Sequence, residues 1–186
     1  MKILRPLPRP LRPPPSSARL PCSRRFGSHH TLLRSLETGD ETKLLEFFTS
    51  HTPETIRARY GYLFRHLSHE RARELVNVAP DQGIALGLFE GHGANEHLIA
   101  IGRYFTSGDG RSAEVAFVVR EDRRNLGVAT VLLRTLQRVA RQRGLARLTA
   151  QVQRDNGAML SVFRSAGATI TEIPGTGAAE VTLNTG

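Results

Sequence analysis

The 186-residue chain has one cysteine and no tryptophan. The single cysteine, Cys22, allows no internal disulfide and no cysteine-based metal cluster, so we expect a reducing compartment, the cytoplasm. The longest apolar run, residues 83–89, is far shorter than the ~18 residues that a membrane-spanning helix needs. The seven histidines show no metal-ligand spacing such as His-Glu-x-x-His. We therefore expect no membrane partner and no metal.

Acidic residues are absent from residues 1–26, which hold seven of the 26 basic residues and seven of the ten prolines. Prolines at this density prevent helices and strand ladders, so we predict a disordered Pro/Arg-rich tail over 1–27 and one folded domain over 28–186. The rest of the chain is nearly neutral, so the net charge of +9 does not indicate a nucleic-acid partner. An alternative is that the tail itself contacts nucleic acid, which would give steeply salt-dependent binding that is lost on its deletion.

The first third of the folded region predicts one strand and three helices. The helices are indicated by N-cap residues, by proline at a first helical position and by apolar residues at helical spacing. The predicted elements are a strand over 31–36, a helix that follows the capping-box spacing of residues 38–41, a helix that begins at Thr52-Pro53 and a helix from Ser68 to Val76.

The pattern then changes to short apolar runs separated by glycine-rich turns. Runs at 83–89, 97–105 and 113–119 predict an antiparallel meander. Helices and strands alternate in the remaining part. These are a helix over 127–143, a strand over 146–152, a helix over 156–166 and strands over 169–173 and 180–183. The order predicts an α+β fold in which a mixed central sheet of roughly six to seven strands is flanked by about four helices.

The most informative local pattern is the start of the helix near Gly127. A strand ends at Val119, a short polar loop follows, and small residues stand at Gly127 and Ala129. Small residues let an anion approach the backbone, and the unpaired amides and dipole of a helix start favour negative charge, which suits a pyrophosphate. Arg123 or Arg124 could add a charge-assisted contact. Taken alone, the same pattern is equally common in helices that bind nothing.

Together with this order of elements, Arg124-x-x-Gly127-x-Ala129 resembles the GNAT superfamily of N-acetyltransferases, whose coenzyme signature is Gln/Arg-x-x-Gly-x-Gly/Ala. The resemblance covers residues 30–184 and implies the GNAT fold, with acetyl-CoA as acyl donor. Within the superfamily, the chain is most similar to the Pat-type protein lysine acetyltransferases. That similarity rests on three stretches, which are residues 36–48, residues 53–60 followed by 67–70, and residues 113–119.

The resemblance also implies roles for individual residues. Glu114 would act as the general base that takes a proton from the acceptor amine, although it could instead pair with Arg103 or Arg111. The coenzyme would contact a set of strand, loop and helix residues: Phe117, Val118, Val119, Arg123, Arg124, Asn125, Leu126, Gly127, Val128, Ala129, Thr130 and Asn156. Asn156 could equally cap the following helix.

One position departs from many members of the superfamily. Seven residues after Asn156, where a tyrosine often protonates the leaving thiolate, this chain has Phe163. This departure argues against the tyrosine-dependent subfamilies and favours the Pat-type branch. The thiolate is then expected to leave unassisted or with help from water.

The implied activity is acetyl transfer to a primary amine, with a protein lysine, as on an acyl-CoA synthetase, the expected acceptor. Arg57, Arg59 and Tyr60 would border the acceptor site, although a solvated helix face is the commoner role for such residues. Two alternatives stay open. The acceptor could be a small amine or amino acid, or the chain could be a non-catalytic acyl-CoA sensor. The sequence does not predict the oligomeric state.

Overall fold

The structure is a computed structural model that describes residues 20–60 and 67–186, and only the backbone of residues 57–60. Over these residues it contains eight strands and five α-helices. The strands are Cys22–Phe26 (β1), His29–Ser35 (β2), Gly83–Glu90 (β3), His97–Thr106 (β4), Ser112–Val119 (β5), Arg147–Gln153 (β6), Thr169–Ile173 (β7) and Ala178–Asn184 (β8). The α-helices are Glu41–Thr49 (α1), Pro53–Tyr60 (α2), His69–Val76 (α3), Val128–Gln142 (α4) and Gly157–Ser165 (α5).

The strands form one mixed sheet in the order β1-β2-β3-β4-β5-β6-β8-β7. Neighbouring strands are antiparallel except for β5 and β6, which are parallel and are joined by the crossover helix α4. The predicted α+β fold with a mixed sheet is confirmed, although the described residues contain slightly more strands than the sequence predicts. No described helix is both long and apolar enough to cross a membrane.

The additional strand, β1, lies where the sequence predicts a disordered tail. Cys22–Phe26 pairs with β2 through a tight turn at Gly27, which has a φ of +59°. The side chain of Phe26 is buried in the core, and this burial stabilises the hairpin. A strand therefore precedes the predicted boundary at residue 28. The prediction for residues 1–19 lies outside the described residues.

The predicted N-caps of two helices in the first third are confirmed. The Thr52 hydroxyl accepts a hydrogen bond from the Thr55 amide at 3.3 Å, and the Ser68 hydroxyl accepts one from the Arg71 amide at 3.2 Å. These bonds satisfy amides that have no partner inside the helix. The cap of α2 matters for the site, because it fixes the position of Thr55.

Two apolar cores cover the two faces of the sheet. On one face, α4 buries the stripe of apolar residues that its helical spacing predicts, with Leu133 and Leu136 fully buried. The sheet offers Gly102 there, and a methyl group on Gly102 would lie 3.0 Å from Leu136. Glycine thus lets helix and strand pack closely. On the other face, α1 and α3 cover a second core that includes Phe89 and Val118.

The feature that organises the site is the separation of β5 from β6. The two strands pair only where Ser112–Glu114 meets Arg147–Thr149. Beyond this point β6 continues to pair with β8 as far as Gln153, and β5 continues to pair with β4 as far as Val119. The edge of β5 that faces β6 is consequently left without a ladder from Val115 onward. Glu114 is the last residue of β5 before the strands diverge.

Candidate active site

A cavity of about 610 Å³ lies beside the separated end of β5. It brings together parts of the chain that are far apart in sequence. The lining residues are Glu54, Thr55, Phe117, Val118, Val119, Arg123, Arg124, Asn125, Gly127, Val128, Ala129, Thr130, Asn156, Ala158, Met159, Ser161 and Val162. With the exception of Leu126, every predicted coenzyme contact therefore lines one cavity. The Leu126 side chain is 38% exposed.

The start of α4 presents backbone donors to this cavity. Gly127 is the N-cap residue and has a φ of +82°, and Asn125 has a φ of +61°. Left-handed residues on either side of Leu126 turn the loop sharply into the helix. The first intrahelical bond runs from the Val131 amide to the Gly127 carbonyl at 3.1 Å. The amides of Val128, Ala129 and Thr130 precede that bond, and glycine has no side chain that could cap them.

The strand side of the cavity offers mainly backbone. The side chains of Phe117 and Val119 belong to the core under α4, and that of Val118 belongs to the core under α1 and α3. The backbone edge of these residues faces the gap left by β6. An extended ligand with amide groups can pair with such an edge as an additional strand would.

The two candidate arginines of the loop differ in their environments. Arg123 lines the cavity, but its guanidinium is bonded to Glu90 at 2.9 and 3.0 Å and to Asp122 at 2.8 Å. Arg124 is 47% exposed and donates to the Thr55 hydroxyl at 2.7 Å, while Glu121 lies 3.6 Å from it. The sequence leaves either arginine open as the anion contact. The structure favours Arg124, because its charge is far less neutralised.

Glu121 fixes the loop to the start of α2. Its carboxylate accepts hydrogen bonds from the Thr52 amide at 3.1 Å and from the Thr52 hydroxyl at 3.3 Å. Burial by itself would raise the pKa of Glu121, but hydrogen bonds from Thr55 and Thr52 outweigh it and lower the pKa to about 2. Since Thr55 also accepts from Arg124, α2 and the loop are joined at the rim of the cavity.

Asn156 and Phe163 place α5 against the cavity. The Asn156 side-chain oxygen accepts from the Met159 amide at 3.1 Å, so the helix-capping role is observed. Asn156 also lines the cavity, where its amide nitrogen can donate to a ligand. Phe163 is buried, and its ring lies 5.5 Å from the ring of Phe117. The position of the frequent tyrosine is therefore part of the core.

Glu114, the predicted base, is exposed at the point where β5 and β6 diverge. It lies on the same face of β5 as Val118, because residues an even number apart share a face. Four residues separate the two, about 13 Å along the strand. Of the predicted acceptor-site residues Arg57, Arg59 and Tyr60, the structure describes only the backbone.

The cavity residues within α2 and α5 are not predicted from the sequence. Glu54 and Thr55 come from the first turn of α2, and Met159 and Val162 come from one side of α5. Their residue types are ordinary for helices, so composition provides no signal. The part of α5 could have been predicted only from the order of the elements, because the helix that follows β6 must pack near the gap between β5 and β6.

A family model described as the acetyltransferase (GNAT) family matches residues 43–168. This range includes the meander, the loop at Gly127, α4, β6 and α5. The chain therefore belongs to the GNAT acetyltransferase family, and it is an acyl-CoA-dependent N-acyltransferase. Acetyl-CoA is the acyl donor expected for this family.

Solved structures share the fold at low sequence identity. The GNAT domain of S. lividans PAT matches with a TM-score of 0.78 at 23% identity, over 88% of this chain and 96% of that one. A GNAT-family acetyltransferase from Streptococcus pneumoniae matches with a TM-score of 0.66 at 18% identity, over 83% and 99%. A cAMP-binding acyltransferase from Mycobacterium smegmatis matches with a TM-score of 0.61 at 21% identity, over 89% of this chain but only 47% of that protein.

The two ends of α4 offer a matched test of the helix start. Gly127 and Gly144 both have a φ of +82° and open space where a methyl group would stand, but the 15 residues of α4 and its C-cap residue Arg143 lie between them, a distance of about 25 Å. We expect either substitution by alanine to lower the free energy of unfolding by ~1 kcal/mol. Only Gly127→Ala should also weaken coenzyme A binding, as measured by calorimetry. Equal binding losses in both variants would contradict a ligand site at Gly127.

The lowered pKa of Glu121 predicts that the stability of the protein depends on pH in the acid range. Because its pKa is lowered from 4.5 to about 2, its stabilising contribution is complete above pH 4.5 and is lost as the pH falls toward 2. We expect wild type to be more stable than Glu121→Gln at pH 6, and the difference to shrink between pH 4.5 and 2. Urea unfolding midpoints across this range measure it. A difference that does not change with pH would show that the Glu121 charge contributes nothing.

Proposed function

We propose that this acetyltransferase transfers an acetyl group from acetyl-CoA to the side-chain amine of a lysine on another protein. The observation that carries the proposal is the position of Glu114. This carboxylate is exposed at the vertex of the gap between β5 and β6. It is not among the residues that line the cavity, which meets β5 farther along the strand, at residues 117–119.

The residues around the cavity suit the parts of a coenzyme A ester. The amides of Val128, Ala129 and Thr130 and the guanidinium of Arg124 would hold the pyrophosphate. The pantetheine arm is an extended chain with two amide groups, and it would pair with the free backbone edge at residues 117–119. In this orientation the thioester points along β5 toward Glu114.

The proposed reaction is a direct transfer. Glu114 takes a proton from the ammonium group of the lysine through bridging water, because Glu114 and Val118 lie about 13 Å apart along β5. The proton must leave because only the neutral amine is nucleophilic. The amine nitrogen attacks the thioester carbonyl carbon, and a backbone amide near Val118 stabilises the negative charge that develops on the oxygen. The C–N bond forms and the attacking nitrogen loses its second proton to water. The C–S bond then breaks, and the coenzyme leaves as a thiolate.

The leaving group receives no help from a tyrosine in this proposal. Phe163 packs against Phe117 in the core and carries no proton to donate. A thiolate is a stable leaving group at neutral pH, so it can depart first and take a proton from solvent afterwards. Catalysis then rests on positioning, on the Glu114 base and on stabilisation of the oxyanion.

The surface around Glu114 favours a protein acceptor over a small amine. Phe105, which pairs with Glu114 across β4 and β5, is 39% exposed. On the other side of Glu114, its partner Thr149 on β6 is half-buried. Gln151, on the same face of β6 as Thr149, is exposed. An open sheet surface of this kind can receive part of another protein, whereas a small amine calls for an enclosed acidic pocket.

The test measures coenzyme A release from acetyl-CoA with lysine-containing proteins, including an acyl-CoA synthetase, and with small amines as acceptors. For Glu114→Gln we expect the turnover rate to fall ~10²–10⁴-fold, the usual contribution of a general base, with unchanged coenzyme A affinity. Glu172→Gln, an exposed glutamate on edge strand β7, is the control and should keep wild-type turnover. Mass spectrometry locates the acetylated lysines.

The outcomes separate the alternatives. Turnover that occurs only with small amines would replace the protein acceptor by a small one. Binding of acetyl-CoA without transfer to any acceptor would favour a sensor of acyl-CoA. A Glu114→Gln variant with wild-type turnover would remove Glu114 from the mechanism.

A further inference from the structure

A second carboxylate, that of Glu90, contacts the coenzyme loop, which is the segment of residues 120–127 between β5 and α4, through Arg123. Glu90 is the last residue of β3, and its backbone is held in the sheet on both sides, opposite Thr31 of β2 and His97 of β4. Its side chain is only 16% exposed. Because this strand is hydrogen-bonded on both edges, the backbone of Glu90 is held in place by the sheet, whereas the loop that Glu90 contacts has no strand partner.

Three basic side chains converge on Glu90. Arg123 approaches at 2.9 and 3.0 Å, His29 at 2.5 Å and His97 at 3.6 Å. Burial would raise the pKa of Glu90, but the hydrogen bonds from His29 and Arg123 outweigh it and lower the pKa. The carboxylate is thus ionised and held from several directions, which leaves its position well defined.

The contact with Arg123 reaches the coenzyme loop directly. Arg123 also bonds Asp122 at 2.8 Å, and Asp122 accepts from Arg120 at 2.7 Å. Residues 120, 122 and 123 of the loop therefore bond among themselves and connect to β3, whereas Glu121 and Arg124 bond to the start of α2. The loop is clamped between the sheet and α2 immediately before Asn125 and Gly127 turn it into α4.

We propose that Glu90 is a positioning residue for the coenzyme site. Through Arg123 it fixes the loop so that Arg124 and the first amides of α4 face the acyl-CoA. Glu90 makes no contact with the ligand, and Arg123 serves as an anchor and not as the anion-binding arginine. The inference rests on the proposed coenzyme site and adds a residue that is remote in sequence from it.

The test compares coenzyme A dissociation constants, measured by calorimetry, with the kinetics of acetyl transfer. For Glu90→Gln we expect the dissociation constant and the KM for acetyl-CoA to rise about tenfold, because the charge-assisted hydrogen bonds that hold Arg123 are weakened. We expect kcat to stay within about twofold, because the chemistry at Glu114 does not involve the loop. Glu74→Gln, which removes an exposed ion pair with Arg71 on α3, is the control and should bind normally.

A double-mutant cycle with Arg123→Gln identifies the route. If Glu90 acts through Arg123, the double variant binds coenzyme A no more weakly than either single variant. Fully additive losses would contradict the route through Arg123. Tighter binding by Glu90→Gln would show that Glu90 withholds Arg123 from the ligand, which also overturns the proposal.

Unfolding curves distinguish positioning from loss of structure. Because β3 pairs on both sides, Glu90→Gln should remain folded at the assay temperature, with an unchanged circular dichroism spectrum. Wild-type affinity in Glu90→Gln contradicts this inference and leaves the proposed function intact. A wild-type protein that does not bind coenzyme A contradicts the proposed function itself, and with it this inference.

Discussion

The site depends on one constraint in the sheet, the parallel pairing of β5 and β6 over only three residues of each strand. Each strand stays bonded to its outer neighbour, so the sheet as a whole remains intact while a gap opens in its middle. The gap provides a free backbone edge on β5, space for a ligand beside it and a vertex at Glu114. Because β5 and β6 are parallel, a crossover helix must connect them, and this places the amino end of α4 at the wide end of the same gap.

The loop before α4 must then hold a demanding backbone conformation. Asn125 and Gly127 both have positive φ angles, which are costly for residues with a side chain and tolerable for glycine. Ionic and hydrogen-bonding contacts from two directions support the loop, Glu90 from the sheet and Thr52 with Thr55 from α2. The residues that hold the loop are thus distinct from those that would contact the ligand. Arg123 belongs to the first group and Arg124 to the second.

Local patterns predicted much of the fold, because they depend on neighbours in sequence, and the resemblance to the GNAT superfamily predicted much of the cavity lining. The meander, the stripe of α4 and the cap at Ser68 are of this kind. The strand at Cys22–Phe26 was missed, since its stability comes from pairing with β2 and from the burial of Phe26. The role of Arg123 was equally out of reach, because its partner Glu90 is 33 residues away. The contribution of α5 to the cavity follows from packing, which composition does not encode.

The most direct test of the account is a titration of isotope-labelled protein with coenzyme A, followed by amide chemical shifts. The account predicts the largest shifts at the amides of Val128, Ala129 and Thr130 and along residues 117–119, with small shifts at the β7–β8 hairpin. Saturable shifts confined to the first two groups would support a ligand that lies in the gap between β5 and β6. Binding that leaves these amides unchanged would contradict it.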